Sequence, residues 1–179
     1  MIVAKEKIKT NIGEYLLYMF QVEDLIRACN LDSGVVEVSI ISQYQVEEKT
    51  REEIKSWCLG LVDLMIEERL DKKGHLSFIT NKINEVLEFH QYLLQSSDHQ
   101  DYQLLFNKAS TIINELKPKQ KSNNDVDVML NTIYGIYLLK LQKQEITKET
   151  LESSQKLSVL LGELSRKFKD YESGELKIE

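Results

Sequence analysis

Apolar residues recur every three or four positions from Asn11 to Tyr171, a spacing that places them on one face of a helix. The widest apolar face lies in residues 11–29, where it covers an arc of roughly 220° at roughly 100° per residue. A surface helix usually needs an apolar stripe of only about 100°. We therefore expect this helix to have neighbours on more than one side. Its apolar residues are Ile12, Tyr15, Leu16, Tyr18, Met19, Phe20, Val22, Leu25, Ile26 and Cys29.

The pattern predicts an all-α, single-domain bundle of six or seven helices over residues 1–179. The predicted helices run over 11–29, 35–44, 50–74, from His75 or Ser77 to Leu94, from Ser97 or Asp98 to Lys117, over 125–143, and from Thr147 to Tyr171. Residues 1–10 are expected to be a short charged lead-in, either separate from the first helix or continuous with it. Residues 174–179 are expected to be a frayed tail. Asn11 and Glu14 have the spacing of a capping box, which marks the start of the first helix.

Two boundaries depend on single features. Residues 35–44 contain enough β-branched residues to suit a strand. A lone strand among helices would have no partner, and this favours a short helix. Pro118 disfavours helix in the residue before it, so the fifth predicted helix is expected to end near Lys117.

The first and sixth predicted helices, 11–29 and 125–143, are expected to lie at the centre of the bundle. The sixth has an apolar arc of roughly 200° by the same geometry. The seventh, from Thr147, has a narrow apolar stripe and is expected on the outside. The core residues predicted from these two wide helices are Leu16, Met19, Ile26, Ile133 and Tyr137.

The composition narrows the classes of partner and compartment. A net charge of −6 argues against nucleic acid or an anionic membrane surface as partner. No stretch approaches the roughly 18 uncharged apolar residues of a membrane-spanning helix. The two cysteines, Cys29 and Cys58, have no disulfide-framework spacing, so we expect buried thiols in a cytoplasmic protein.

Four charged residues of the first helix are candidates for a site. Glu23 and Arg27 project into its apolar arc, where each must be paired or reach water. Their i, i+4 spacing, acid first, favours an intrahelical ion pair. The alternative is that they line a polar pocket. Glu14 and Asp24 lie on the opposite, polar side of the helix.

Two more candidates lie on later helices, and metal or cofactor motifs are missing. His90 falls on the apolar face of the fourth predicted helix, where a hydrogen-bonded core histidine is the usual interpretation. Lys140 lies inside the arc of the sixth, near its end, where its stem can extend to water. The sequence contains no CxxC, HExxH, Gly-rich phosphate loop or GxSxG. We therefore expect no metal and no cofactor, and catalysis is not favoured.

Residues 11–28, which read Asn-Ile-Gly-Glu-Tyr-Leu-Leu-Tyr-Met-Phe-Gln-Val-Glu-Asp-Leu-Ile-Arg-Ala, resemble the opening motif of an uncharacterised bacterial family, a domain of unknown function of about this length. The stretches 74–76, 134–135, 141–147 and 149–150 are also similar in order and spacing. Phe20 stands where the motif has Trp, a conservative departure. The resemblance implies an all-helical cytoplasmic protein and no particular activity. It places Glu14, Glu23, Asp24 and Arg27 inside the motif.

Two functional hypotheses follow. The first is a non-catalytic helical protein that acts through self-association, as a homodimer, or through partner binding, because two helices with such wide apolar arcs need additional cover. The second is a pocket between the first, fourth and sixth helices, possessing a polar wall and binding a small anion or acting as an enzyme. That wall would consist of Glu23, Arg27, His90, Lys140 and tyrosines such as Tyr15, Tyr18 or Tyr137.

Overall fold

The computed structural model describes residues 2–177, which form eight α-helices and two single-turn 3₁₀ helices, with no strand in that range. The all-α prediction is confirmed, and the predicted number of helices is wrong. The helices are α1 (Ile2–Thr10), α2 (Ile12–Ala28), α3 (Ser33–Ser39), α4 (Glu48–Glu67), α5 (Ser77–Gln95), α6 (Gln100–Gln120), α7 (Asp125–Leu141) and α8 (Lys148–Glu172), and the 3₁₀ turns are Ile41–Gln43 and Ser97–His99.

The extra helix is α1, which replaces the expected lead-in. Asn11 separates it from α2 because its backbone is extended, with φ −156° and ψ 102°. The Asn11 side chain accepts a hydrogen bond from the backbone N–H of Glu14, as the capping-box spacing predicted. Two helices therefore meet at one residue where the sequence pattern indicated a single start.

Residues 35–44 form no strand. They are divided between α3 and the 3₁₀ turn Ile41–Gln43, and the side chain of Asp32 caps α3 by accepting from the N–H of Val35. The short-helix interpretation is confirmed.

Pro118 lies inside α6, which continues to Gln120, so the predicted end at Lys117 is wrong. The bias against helix before proline is a tendency, and α6 packs against α7 and α8. α4 ends earlier than predicted, at Glu67 instead of Gly74. Arg69 follows with a left-handed φ of 59°, and the N–H of Leu70 donates back to the carbonyl of Met65. Residues 68–76 therefore form a loop.

The predicted centre of the bundle is also wrong, because α8 packs against α2, α5, α6 and α7. Its narrow apolar stripe is buried except for Tyr171, which is 36% exposed, and its fully buried residues are Leu157, Leu160, Leu164 and Phe168. The width of an apolar arc measures how much surface needs cover. It does not measure how many helices converge on that surface, and this distinction explains the error.

The five predicted core residues divide by helix. Leu16, Met19 and Ile26 of α2 are buried, whereas Ile133 of α7 is half-buried and Tyr137 is 38% exposed. A single cluster of buried apolar residues includes members of all eight helices, from Ala4 of α1 to Phe168 of α8. No helix among residues 2–177 combines the length and apolar character needed to cross a membrane.

The expected frayed tail falls partly outside the described residues, since 178 and 179 are not among them. Leu176 is half-buried against the apolar core, and its N–H donates to the carbonyl of Asp170. This part of the tail therefore contacts the bundle.

Candidate functional site

The carboxylate of Glu23 is completely buried and binds the segment that leads into α5. Its Oε1 accepts from the backbone N–H of Leu76 at 2.8 Å, and its Oε2 lies 2.6 Å from Nδ1 of His75. The His75 ring stacks on Phe20, one turn earlier on α2, with centroids 3.8 Å apart and 13° between the planes. A buried carboxylate needs such partners, and Glu23 takes them from the loop.

Arg27 binds the same loop from the next turn of α2. Its guanidinium donates to the carbonyl of Leu70 at 3.0 Å, to the carbonyl of Gly74, and to Oδ1 of Asp24 at 2.6 Å. The expected intrahelical pair between Glu23 and Arg27 is not formed in the described structure, because each side chain has a different partner. Asp24 supplies the i, i+3 alternative, which is also within reach on a helix.

The hydroxyl of Tyr134 on α7 donates to the second carboxylate oxygen of Asp24 at 2.8 Å. Burial, and then the hydrogen bond to Asp24, raises the pKa of this hydroxyl well above its ordinary value, so it remains a donor. We call Glu23, Asp24 and Arg27, together with loop 68–76, the loop clamp. Three charged residues of the motif, Glu23, Asp24 and Arg27, thus bond this loop and α7 to α2.

The other predicted site residues lie elsewhere. His90 is buried among α5, α6 and α7, with Nδ1 2.5 Å from the Tyr102 hydroxyl and Nε2 3.4 Å from Oδ2 of Asp125. Glu14 is exposed and pairs with Lys7 of α1 at 2.5 Å. Lys140 is exposed near the end of α7. Within the described residues, the structure therefore brings together three of the six candidates, and these three do not form one polar pocket with the rest.

The outer side of α2 borders an apolar groove, which we call the α2–α7 groove. It has a volume of about 300 Å³. Its walls are Leu17, Tyr18 and Gln21 of α2 and Ile133, Tyr134 and Tyr137 of α7, and the Lys7–Glu14 pair adds a charged edge. The amide of Gln21 donates to the Tyr137 hydroxyl at 3.1 Å. Since the hydroxyls of Tyr134 and Tyr137 are both bonded to α2, these rings form a wall whose polar groups are already satisfied.

Two further hollows continue the groove along α2. One, of about 210 Å³, shares Glu14, Leu17 and Ile133 with the groove and extends to Gly162 of α8. The other, of about 110 Å³, shares Tyr18 and Gln21 and extends to Trp57 of α4. Hollows with both apolar and polar lining residues therefore follow α2 over most of its length.

The second half of α7, residues 131–141, is apolar and largely uncovered. It contains seven Ile, Leu and Tyr residues, of which only Ile136 is buried. Tyr137 is 38% exposed and Leu141 is 59% exposed. A Cβ atom added to Gly135 would meet no atom within 4 Å. The sequence signal for this surface was the wide apolar arc, which we interpreted as core.

The chain belongs to the family described as Domain of unknown function (DUF4924), whose family model matches residues 1–175. The resemblance noted in the sequence is thereby confirmed at the level of the family. Neither a curated protein nor a solved structure matches the chain.

Proposed function

We propose that this member of the DUF4924 family is a non-catalytic binding module, and that the α2–α7 groove accepts an amphipathic helix. The observation that carries the proposal is the uncovered apolar half of α7 beside that groove, where only one of the large apolar side chains is buried. Recognition of a helix in a groove places apolar side chains of one helix face into such a hollow. The satisfied hydroxyls of Tyr134 and Tyr137 suit an apolar guest.

The energies are consistent with a docking surface. Complete burial of one Leu, Ile or Phe side chain contributes about 1.5–3 kcal/mol. Association costs about 4–15 kcal/mol of translational and rotational freedom. Several side chains must therefore be covered together, and Leu17, Ile133, Tyr137 and Leu141 are half-buried or exposed along this surface.

The contacts of Arg27 count against the alternative of a small-anion or enzymatic pocket between α2, α5 and α7. Its guanidinium already binds Asp24 and two loop carbonyls. A site that awaits an anion needs donors that remain available. His90, the titratable candidate on α5, is in the core and bonded to Tyr102.

We also propose a cytoplasmic location. The support is that Cys29 and Cys58 are both buried and free, as is usual for proteins of a reducing compartment. Fractionation of the source cells, followed by immunodetection of the chain, tests this proposal. Recovery in the membrane or secreted fraction would overturn it.

Site-specific photo-crosslinking in the source cells tests the groove. The photoreactive residue p-benzoylphenylalanine replaces Tyr137, an aromatic position in the groove wall, or Leu25, which lines the hollow towards α4. The control position is Val38 of α3, which is 70% exposed and outside the three hollows. We expect crosslinked products at Tyr137 and Leu25 that map to an amphipathic helix. Yields no higher than at Val38 would overturn the proposal.

A further inference from the structure

We infer that the occupant of the α2–α7 groove is the second half of α7 from another copy of the chain, so that the protein forms a two-fold symmetric dimer. This inference rests on the proposed docking function and names its partner. The two α7 helices would run antiparallel and cross at Tyr137.

The first support is that the groove and the side chains able to fill it lie on the same surface. A two-fold interface pairs a patch with itself, so the patch must contain both projections and hollows. Leu141 is 59% exposed and lies one helical turn from Tyr137, a groove-wall residue. Ile133, Tyr137 and Leu141 are spaced four residues apart, which places them on one side of α7.

The second support is the register that follows when the two helices cross at Tyr137. When two antiparallel helices cross at Tyr137, residue 141 of one copy lies opposite residue 133 of the other, because each is four positions from the crossing point. Ile133 borders both the groove and the neighbouring hollow of about 210 Å³, together with Leu17. Leu141 of each copy thus lies opposite Ile133, where the other copy's groove and this hollow meet.

The third support is charge complementarity at the same place. Lys140 is exposed and has no ion-pair partner within residues 2–177. In the antiparallel register, Lys140 and Leu141 of one copy lie at the end of the other copy's groove that contains Glu14. The Glu14 side chain is 57% exposed; its ion pair among those residues is with Lys7, and its Oε1 also accepts from the Asn11 amide at 3.4 Å. The symmetric dimer therefore forms the Lys140–Glu14 contact twice.

A competing apolar surface exists between α6 and α8. A hollow of about 370 Å³ lies there, and its lining includes Val159, which is 50% exposed. Four of its six lining residues are charged or polar, namely Lys108, Glu152, Gln155 and Lys156. This composition is less suited to a self-associating apolar contact, and the surface serves as the internal control.

Sedimentation velocity over a range of micromolar concentrations at physiological salt tests the dimer. We expect the full chain to sediment as a dimer and Leu141→Glu to weaken its association at least about tenfold, the size of effect seen at central interface positions. Val159→Glu, which places the same charge on the competing surface, should leave the association unchanged. Circular dichroism verifies that both variants are folded. A monomeric wild-type chain, or dissociation by Val159→Glu and not by Leu141→Glu, would overturn the inference.

A charge exchange tests the register. Glu14→Lys and Lys140→Glu should each weaken the dimer, and the double variant should recover most of the association. Because Glu14→Lys also removes the Lys7 pair, a second measurement mixes Glu14→Cys protein with Lys140→Cys protein and adds a short bismaleimide crosslinker. We expect more crosslinked dimer from the mixture than from either protein alone. Equal yields together with no charge rescue would exclude this register.

The crosslinking at Tyr137 separates the two proposals. Crosslinked products between two copies of this chain support both the docking function and the homodimer. Products with a different protein retain the docking function and overturn the homodimer, and a monomeric mass with no product at Tyr137 overturns both.

Discussion

Nδ1 of His75 lies 2.6 Å from Oε2 of Glu23, although 52 positions separate the two residues in the chain. The contact closes loop 68–76 onto α2 and places the N–H of Leu76, at the start of α5, on the other carboxylate oxygen. The Glu23 side chain has no exposed surface. The stability of the fold with this carboxylate buried therefore depends on the partners that the loop supplies.

Glu23→Leu should lower the free energy of unfolding by about 3–5 kcal/mol, because it leaves His75 Nδ1 and the N–H of Leu76 without their acceptor. Urea unfolding measures the loss. The matched control is Glu52→Leu on the exposed side of α4, which should change stability by about 0.5 kcal/mol or less. Similar losses for the two variants would show that the buried carboxylate is not needed for the fold.

Arg27→Met should cost about 1–3 kcal/mol and speed amide hydrogen exchange in loop 68–76, because two loop carbonyls lose their charged donor. Arg27→Lys should restore only part of the stability, since one ammonium does not reproduce the donor geometry of a guanidinium. Unchanged or increased stability of Arg27→Met would contradict the loop clamp. It would favour the pocket interpretation, in which an unpaired charge reduces stability.

Asp125→Asn should reduce the dependence of stability on acidic pH. Burial by itself raises the pKa of Asp125, but the contacts with His90 and Lys117 outweigh it, and the pKa lies below its ordinary value. A lowered folded pKa contributes stability above the unfolded pKa of about 3.9, and this contribution is lost as the pH falls through the folded pKa.

Urea unfolding at about pH 6 and about pH 3 measures the difference. The wild-type chain should lose more stability between the two than Asp125→Asn. Asp63→Asn, on the exposed side of α4, should retain the wild-type dependence. Equal losses for all three proteins would exclude a contribution from the Asp125 contacts.

Leu160→Ala in α8 should cost about 2–5 kcal/mol, as much as Leu16→Ala in α2, because both side chains are fully buried. The neighbouring residue Val159 is 50% exposed, and Val159→Ala should cost about 0.5 kcal/mol or less. Thermal or urea unfolding compares the three variants. A loss below about half a kcal/mol for Leu160→Ala would contradict the burial of this residue and would favour a peripheral position of α8.

Helical content and several helix ends were determined by the sequence alone. The apolar spacing predicted the helical regions, and the Asn11 cap was predicted because its hydrogen bond joins residues three positions apart. The buried residues of α2, such as Leu16 and Ile26, also followed from its periodicity. These features depend on short stretches of chain, and so a local pattern is sufficient to predict them.

The partners of the charged residues and the extent of burial were decided only by the tertiary structure. The spacing on α2 permitted a Glu23–Arg27 pair. In the folded chain, however, Glu23 binds His75 and Arg27 binds carbonyls of loop 68–76. The width of the apolar arcs on α7 and α8 showed how much apolar surface each helix has. It did not show which of these surfaces is buried in the folded chain. Cover comes from helices distant in sequence, and their convergence buries Leu160 completely while leaving Leu141 exposed.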